Sequence, residues 1–283
     1  MTRSAPLAAP GRTLIMGVVN VTPDSFSDGG RHAAVEDAVR HAEALQAAGA
    51  DAIDVGGEST RPGAEPVAEA EELRRVLPVV RELARRGIGP VSIDTYKAAV
   101  ARAAVDAGAK LINDISGGTF DPDMLAVAAA SGVGFVVSHA RARPAEMQRG
   151  GWRYEGGVVA AVEAFFRSQL DRAREAGLSL ERIILDPGIG FGKTLGENLE
   201  LLRSLNRLKV EGRPVLVGTS RKSFIGRLTG REVHERELGT AATVALSIAA
   251  GADMVRVHDV AGMRDVCRVA DAWVRGTNDD DQT

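Results

Sequence analysis

The sequence is poor in cysteine: Cys267 is the only cysteine among its 283 residues. One thiol excludes a disulfide within the chain, and its apolar setting, Val-Cys-Arg-Val-Ala, predicts a core position rather than a reactive thiolate. No window approaches the roughly 18 uninterrupted apolar residues of a membrane span, so we expect no membrane partner. Residues 1–10 lack the apolar run of a signal peptide, and we therefore expect a cytoplasmic protein.

A strong charge of one sign is also lacking. The 35 Lys and Arg residues nearly balance the 38 Asp and Glu residues, which gives a net charge of -3. This balance carries no electrostatic footprint for nucleic acid, so we expect small-molecule substrates and no nucleic acid. The histidines and Cys267 have no zinc-like spacing. The hypothesis that the Asn20 oxygen and a substrate diphosphate together hold a hard cation stays open, because Mg2+ often takes few protein ligands.

Short β-branched runs alternate with longer stretches of helical periodicity, as is typical of βαβ units around a parallel sheet. Eight such units fit a (β/α)8 TIM barrel of about 250 residues better than an open sheet of about six strands. We expect one barrel domain over residues 13–275, between an N-terminal extension (1–12) and a flexible acidic tail (276–283). The predicted strands are residues 14–19, 52–55, 91–93, 110–112, 134–137, 183–185, 215–217 and 254–257.

Glycine and proline mark the helix ends and one interruption. The junctions Ala48-Gly-Ala, Ala107-Gly-Ala and Ala250-Gly-Ala predict helices that end on a left-handed glycine before the next strand begins. Pro78 predicts a kink or a short first segment in the helix over residues 70–86, because proline cannot donate the helical hydrogen bond.

Polar residues follow each predicted strand, and the carboxyl ends of barrel strands form the usual active-site rim. Amides and carboxylates there suit a flat, nitrogen-rich heterocycle by matching its donors and acceptors; these are Asp94, Asn113 and Asp186. Arg256 and His258 lie on one face of the last strand, and Ser220-Arg-Lys222 follows the strand before it. These cations favour a phosphate or diphosphate site. The alternative is that Arg256 pairs with Asp253 or Asp259.

Two glycine-rich segments do not fit nucleotide-binding motifs. Residues 188–194 end in Gly-Lys-Thr, as a P-loop does, but Pro187 stands at the position where that motif needs its first glycine. Residues 56–63 run into Pro-Gly and do not open a helix, as a dinucleotide-binding motif would. We interpret the second segment as a mobile active-site loop. No nucleophile–histidine pairing is evident, which disfavours covalent catalysis.

Seven blocks, taken in chain order, resemble the dihydropteroate synthases, a pterin-binding family. They span the first predicted strand to the last, and the set is far more specific than any one member. The blocks are residues 16–30, 54–63, 92–95, 112–115, 185–193, 218–226 and 255–260.

The resemblance implies an enzyme of folate biosynthesis that condenses 6-hydroxymethyl-7,8-dihydropterin diphosphate with p-aminobenzoate, a transferase and sulfonamide target that uses Mg2+. It implies a homodimer, formed through the late helices. The implied pterin site is Asp94, Asn113, Asp186 and Lys222, of which Asp94, Asp186 and Lys222 are catalytic. The implied diphosphate ligands are Asn20, Arg256 and His258, with Asn20 also on the metal, and the implied p-aminobenzoate site is Thr60, Arg61, Pro62, Phe191 and Ser220.

The implied chemistry needs no strong base. Diphosphate leaves first, and the amine then attacks a pterin cation that carboxylates stabilise. Closure of loops 20–34 and 56–66 would complete the second site and exclude water, so we expect the pterin substrate to bind first.

One segment departs from the family pattern. Members usually carry Met-His-Met after the fifth strand, whereas this chain has Ser138-His-Ala140, and we expect looser packing on the pterin. Three alternatives stay open: a pterin barrel for methyl transfer to a corrinoid protein, a catalytically silent paralogue, and a phosphosugar barrel enzyme.

Overall fold

The computed structural model describes residues 7–21, 30–61, 63–147 and 153–276. Within them, eight parallel strands form one sheet in the order β6-β5-β4-β3-β2-β1-β8-β7. A parallel bridge between Leu185 and Val215 joins β6 to the approach to β7, so the predicted TIM barrel is confirmed. The strands are β1 (Leu14–Asn20), β2 (Ala52–Gly56), β3 (Val91–Asp94), β4 (Leu111–Asp114), β5 (Gly134–Ser138), β6 (Ile183–Asp186), β7 (Leu216–Val217) and β8 (Met254–Val257).

Helices alternate with these strands and cover the outside of the barrel. They are α1 (Gly30–Ala48), α2 (Glu69–Arg86), α3 (Ala98–Asp106), α4 (Met124–Ser131), α5 (Val158–Glu175), α6 (Leu195–Arg203), α7 (Ser223–Thr229), α8 (Glu237–Ala249) and α9 (Val260–Arg275). Helix α2 is continuous through Pro78, so the predicted short first segment is wrong, whereas the predicted kink stays a prediction. Burial of Val76, Val79 and Leu83 on one face holds the helix on both sides of the proline.

Glycines end helices where the sequence predicted them. Gly49, Gly108 and Gly251 have φ of 109°, 119° and 107°, in the region that side-chain-bearing residues avoid. In the described part of the chain, no helix is both long and apolar enough to cross a membrane. The domain limits at residues 12 and 276 stay a prediction, and residues 277–283 lie outside the described residues.

The barrel interior is apolar at one end and polar at the other. A layer of side chains that are at most 1% exposed fills the lower interior: Leu14, Met16, Ala52, Leu111, Val136, Ile184, Leu216 and Met254. Because side chains alternate along a strand, the residues two positions further on face the same interior nearer the carboxyl ends. Those residues include Asp54, Asn113, Ser138, Asp186 and Arg256. Cys267 belongs to the core between strands and helices, as predicted.

Candidate active site

A cavity of about 1100 Å³ opens at the carboxyl ends of the strands. Parallel strands bring residues that are far apart in sequence to this one rim. The predicted site residues that line it are Asn20, Thr60, Arg61, Asp94, Phe191, Ser220, Lys222, Arg256 and His258. Asn113 and Asp186 are buried, with 5% and 7% exposure, and do not belong to this lining. Pro62 lies outside the described residues.

Arg256 bridges two buried carboxylates. Its Nε donates to Asp54 Oδ2 at 2.6 Å, and its Nη2 donates to Asp94 Oδ2 at 2.8 Å. Such a fork fixes the plane of the guanidinium as well as its position. The arginine therefore ties β2, β3 and β8 together at the cavity wall.

The alternative pairing of Arg256 with Asp253 or Asp259 is wrong. Asp253 accepts instead from Lys209 Nζ at 2.8 Å and from the backbone of Val215. Asp259 caps α9 by accepting from the backbone N–H of Gly262. Alternation along β8 turns Arg256 into the barrel, away from both neighbours.

Asp54 is the residue at the centre of the site that sequence reasoning missed. It is fully buried, and its Oδ2 accepts from Asn113 Nδ2 at 2.9 Å as well as from Arg256. Its Oδ1 has no hydrogen-bond partner among the described residues. A carboxylate inside the apolar run Ala52-Ile-Asp-Val55 was the available signal, because charge in a buried strand is costly unless it is paired.

Burial shifts the titration of the predicted pterin ligands. It raises the pKa of Asp94 to about 7, against the opposing charge of Arg256. Burial also raises the pKa of Asp186 and lowers the pKa of Lys222 to about 8. The Lys222 ammonium lies 4.0 Å from the centre of the Phe191 ring, so an aromatic wall replaces part of its water shell.

His258 lies beside Ser220, just after the end of β8. Its Nδ1 lies 2.8 Å from Ser220 Oγ, and its backbone N–H donates to the same hydroxyl at 3.3 Å. Burial, followed by the charge of Arg256, lowers the pKa of His258 to about 3. The ring therefore offers an anion a neutral hydrogen-bond donor, while the positive charge comes from Arg256 and Lys222.

The loop after β6 depends on close backbone approaches. A Cβ on Gly188 would lie 2.0 Å from the carbonyl oxygen of His139, and the φ of Gly188 is 67°. Lys193 Nζ donates to the carbonyls of His139 at 2.9 Å, Gly188 at 2.8 Å and Phe191 at 3.3 Å. Lys193, which sequence reasoning also missed, thus holds the loop that brings Phe191 to the cavity.

Comparisons with known proteins identify the family. A sequence profile described as "Pterin binding enzyme" matches residues 16–258. The dihydropteroate synthase of Synechocystis is 49% identical over 265 residues, which cover 93% of this chain and 91% of that protein. The chain belongs to the dihydropteroate synthases. The family is one of transferases, and the resemblance carried by the seven motif blocks is confirmed.

Solved members of the family have the same fold. A Clostridium difficile dihydropteroate synthase solved with pteroic acid has a TM-score of 0.88 and 44% identity, over 93% of this chain and 97% of that one. A Yersinia pestis dihydropteroate synthase in a sulfonamide drug complex has a TM-score of 0.87 and 41% identity, over 94% and 95%. This dihydropteroate synthase therefore shares its barrel fold with these two relatives along nearly the whole chain.

The departure from the family pattern lies in the barrel interior. Ser138 is 1% exposed and pairs in register with Asp186. Its Oγ has no hydrogen-bond partner among the described residues. Ser138 is smaller than the methionine that family members usually carry, and its hydroxyl, which has no partner among the described residues, lies beside Asp186. The expected effect on pterin affinity stays a prediction.

Proposed function

We propose that this chain condenses 6-hydroxymethyl-7,8-dihydropterin diphosphate with p-aminobenzoate to give 7,8-dihydropteroate and diphosphate. The observation that carries the proposal is the Arg256 fork, which sets a cation against two buried carboxylates at the cavity wall. A pterin diphosphate needs both signs of charge at neighbouring points. Pteroic acid, in the presence of which the Clostridium difficile relative was solved, is a pterin joined to p-aminobenzoate through one carbon.

The substrates occupy three parts of the site. The pterin ring lies at Asp94, Asn113, Asp186 and Lys222, where carboxylates and an amide match its N–H groups. The diphosphate lies at Asn20, Arg256 and His258. The p-aminobenzoate lies at Thr60, Arg61, Pro62, Phe191 and Ser220, the place where a sulfonamide would compete.

The reaction divides the charge between the two halves of the pterin substrate. The bond from the exocyclic CH2 to the diphosphate oxygen breaks, and the electron pair leaves with diphosphate. Asp94 and Asp186 stabilise the cation left on the pterin, while Arg256 and His258 hold the departing anion. The amine nitrogen of p-aminobenzoate then bonds to the CH2 and loses its proton to solvent. Lys222 acts as a hydrogen-bond donor and not as a nucleophile.

Mg2+ fits the donors of the site as a cation that the diphosphate helps to hold. In the described residues, no group of three or more His, Cys, Asp or Glu side chains is placed to bind a metal without substrate. Asn20 is an exposed residue of the cavity lining whose amide group offers one oxygen ligand. A hard cation with one protein oxygen takes its other ligands from phosphate and water. Bound there, Mg2+ would neutralise charge on the leaving diphosphate.

The pterin substrate binds first in this scheme. Loops 20–34 and 56–66 complete the second site, although residues 22–29 and 62 lie outside the described residues. Tight p-aminobenzoate binding in the absence of pterin and diphosphate, measured by calorimetry, would contradict this order.

The test is release of diphosphate by the purified protein with both substrates and Mg2+. We expect equal amounts of diphosphate and dihydropteroate, and a lower rate with a chelator that added Mg2+ restores. A folded protein that releases no diphosphate would support the silent paralogue instead. Methyl transfer needs no diphosphate substrate, so the same assay separates that alternative.

The activity should have a narrow pH optimum. Asp94 must be ionised to stabilise a cation, so kcat/KM rises as the pH increases through about 7, its raised pKa. Lys222 must be protonated to donate, so kcat/KM falls as the pH increases through about 8, its lowered pKa. Initial rates at fixed ionic strength test this profile. In Lys222→Arg, a guanidinium that stays charged should abolish the alkaline limb; an unchanged limb would contradict the assignment.

We also place the enzyme in the cytoplasm as a homodimer. Helices α8 and α9 pack on one another and carry exposed apolar residues at helical spacing: Leu238, Leu246, Val269 and Trp273, exposed by 87%, 67%, 73% and 86%. An apolar face of this kind indicates an interface. Light scattering should give twice the chain mass of 29.7 kDa. Trp273→Glu should halve that mass, whereas the control Leu228→Glu on α7 should not; a monomeric wild type would exclude the dimer.

A further inference from the structure

A largely buried cluster of three charged residues and one tyrosine lies beside the cavity, outside the set assigned to substrates. Lys97 Nζ donates to both Glu58 and Glu72, and the Tyr96 hydroxyl donates to Glu58. The side chains of Lys97, Glu58 and Glu72 are 16%, 4% and 1% exposed. Glu58 lines the cavity, whereas the other three members do not belong to its lining.

The cluster contributes little to the free energy of unfolding. Buried ion pairs lose most of their Coulomb energy to desolvation, and apolar side chains of similar volume stabilise a core at least as well. Burial raises the pKa of Glu72, and Glu72 Oε1 has no hydrogen-bond partner among the described residues. A role in orienting a neighbouring segment therefore explains the cluster better than a role in stability does.

The position of the cluster indicates what it orients. Glu58 lies two residues before Thr60, in the loop proposed to close on p-aminobenzoate, and Lys97 lies three residues after Asp94. The cluster thus joins the base of loop 56–66 to the end of β3. Arg75 on α2 adds a second tie at this base, because its Nη1 donates to the carbonyl of Gly57 at 2.9 Å.

The far side of the loop is held at the same patch. The Gly63 N–H donates to the carbonyl of Pro144 at 2.8 Å. The neighbouring Arg143 guanidinium lies 5.4 Å from the Tyr96 ring centre and 4.9 Å from the Phe120 ring centre. Thr60 and Arg61 therefore lie between two attachments, of which the first depends on Glu58.

We propose that Lys97 is a positioning residue for the second substrate, acting through Glu58 to hold residues 57–61 so that Thr60 and Arg61 face the p-aminobenzoate site. This inference rests on the proposed function. Without the ammonium, Glu58 and Glu72 would face each other as buried like charges. The loop base would move to relieve that repulsion, while the ligands of the pterin and the diphosphate would stay in place.

The test is Lys97→Met, with Lys97→Arg as the conservative variant. We expect KM for p-aminobenzoate to rise about tenfold or more in Lys97→Met, with kcat and KM for the pterin substrate within about twofold of wild type. Lys97→Arg should restore most of the loss. The double variant Lys97→Met/Glu72→Gln should recover part of it, because one buried charge is gone.

The matched control is Lys209→Met. Lys209 is also half-buried and paired with a carboxylate, Asp253, at 2.8 Å, but it does not line the cavity. Its removal should leave both KM values unchanged. Hydrogen exchange gives a readout independent of activity: amides 57–61 should exchange faster in Lys97→Met and not in Lys209→Met.

The outcomes separate the two proposals. A wild type that releases no diphosphate contradicts the proposed function, and the exchange experiment still decides whether Lys97 holds the loop. An unchanged KM and unchanged exchange in Lys97→Met overturn the positioning role, as does an equal rise in both KM values. If Lys97→Met does not fold, Glu58→Gln, which keeps the shape of the side chain, should raise KM for p-aminobenzoate alone, and a wild-type value there overturns the proposal.

Discussion

We expect Asp94→Asn to lower kcat about 100-fold, the loss typical of removing one preorganised electrostatic contact at a reacting centre. The amide has the shape of the carboxylate but lacks the negative charge that the proposed pterin cation requires. Asp94 Oδ2 also accepts from Arg256 Nη2 at 2.8 Å, so the substitution weakens one side of the arginine fork. Diphosphate release at saturating concentrations of both substrates measures the effect. The acid limb of the pH profile should disappear with it.

Asp114→Asn is the matched control for Asp94→Asn. Asp114 is a fully buried carboxylate at the end of β4, but it accepts from Ser116 and from the Gly118 N–H instead of facing the cavity. We expect the control to lower the melting temperature and to keep kcat within about threefold. Full turnover in Asp94→Asn would show that its charge is not used in the reaction.

We expect Arg256→Lys to raise KM for the pterin diphosphate by about 10- to 150-fold, because the loss of a charge-assisted hydrogen bond costs about 1.5–3 kcal/mol. Lysine keeps the charge but lacks the planar fork that reaches Asp54 through Nε and Asp94 through Nη2. Inorganic diphosphate should bind more weakly by a similar factor. Calorimetry with diphosphate and Mg2+ measures that part without turnover.

Two further variants test whether the weaker diphosphate binding comes from loss of the Arg256 contacts with Asp54 and Asp94. Arg227→Lys changes another arginine that lines the cavity, and it should leave diphosphate affinity within about twofold. Asp54→Asn should weaken diphosphate binding, although Asp54 is proposed to touch no substrate, and its effect should not add to that of Arg256→Lys. Strict additivity would mean that Asp54 does not act through Arg256.

Much of this architecture was predictable because its signals are local. The runs near residues 14–19 and 254–257 are strands because β-branched residues suit a buried parallel sheet. Gly49 and Gly251 end helices because only their backbone adopts the required φ at no cost. The continuity of α2 through Pro78 was not predictable, because it depends on the core against which that helix packs.

The sequence by itself determined the barrel, the polar rim and the family, since each depends on residue types at fixed places along the chain. Only the tertiary structure decided the partners. Arg256 meets Asp54 across 202 positions, and Lys97 meets Glu58 across 39. Local periodicity states which face of a strand a side chain takes, but not which distant side chain it meets there. That choice is made when the barrel closes, because burying a charge is tolerable only where an opposite charge arrives with it.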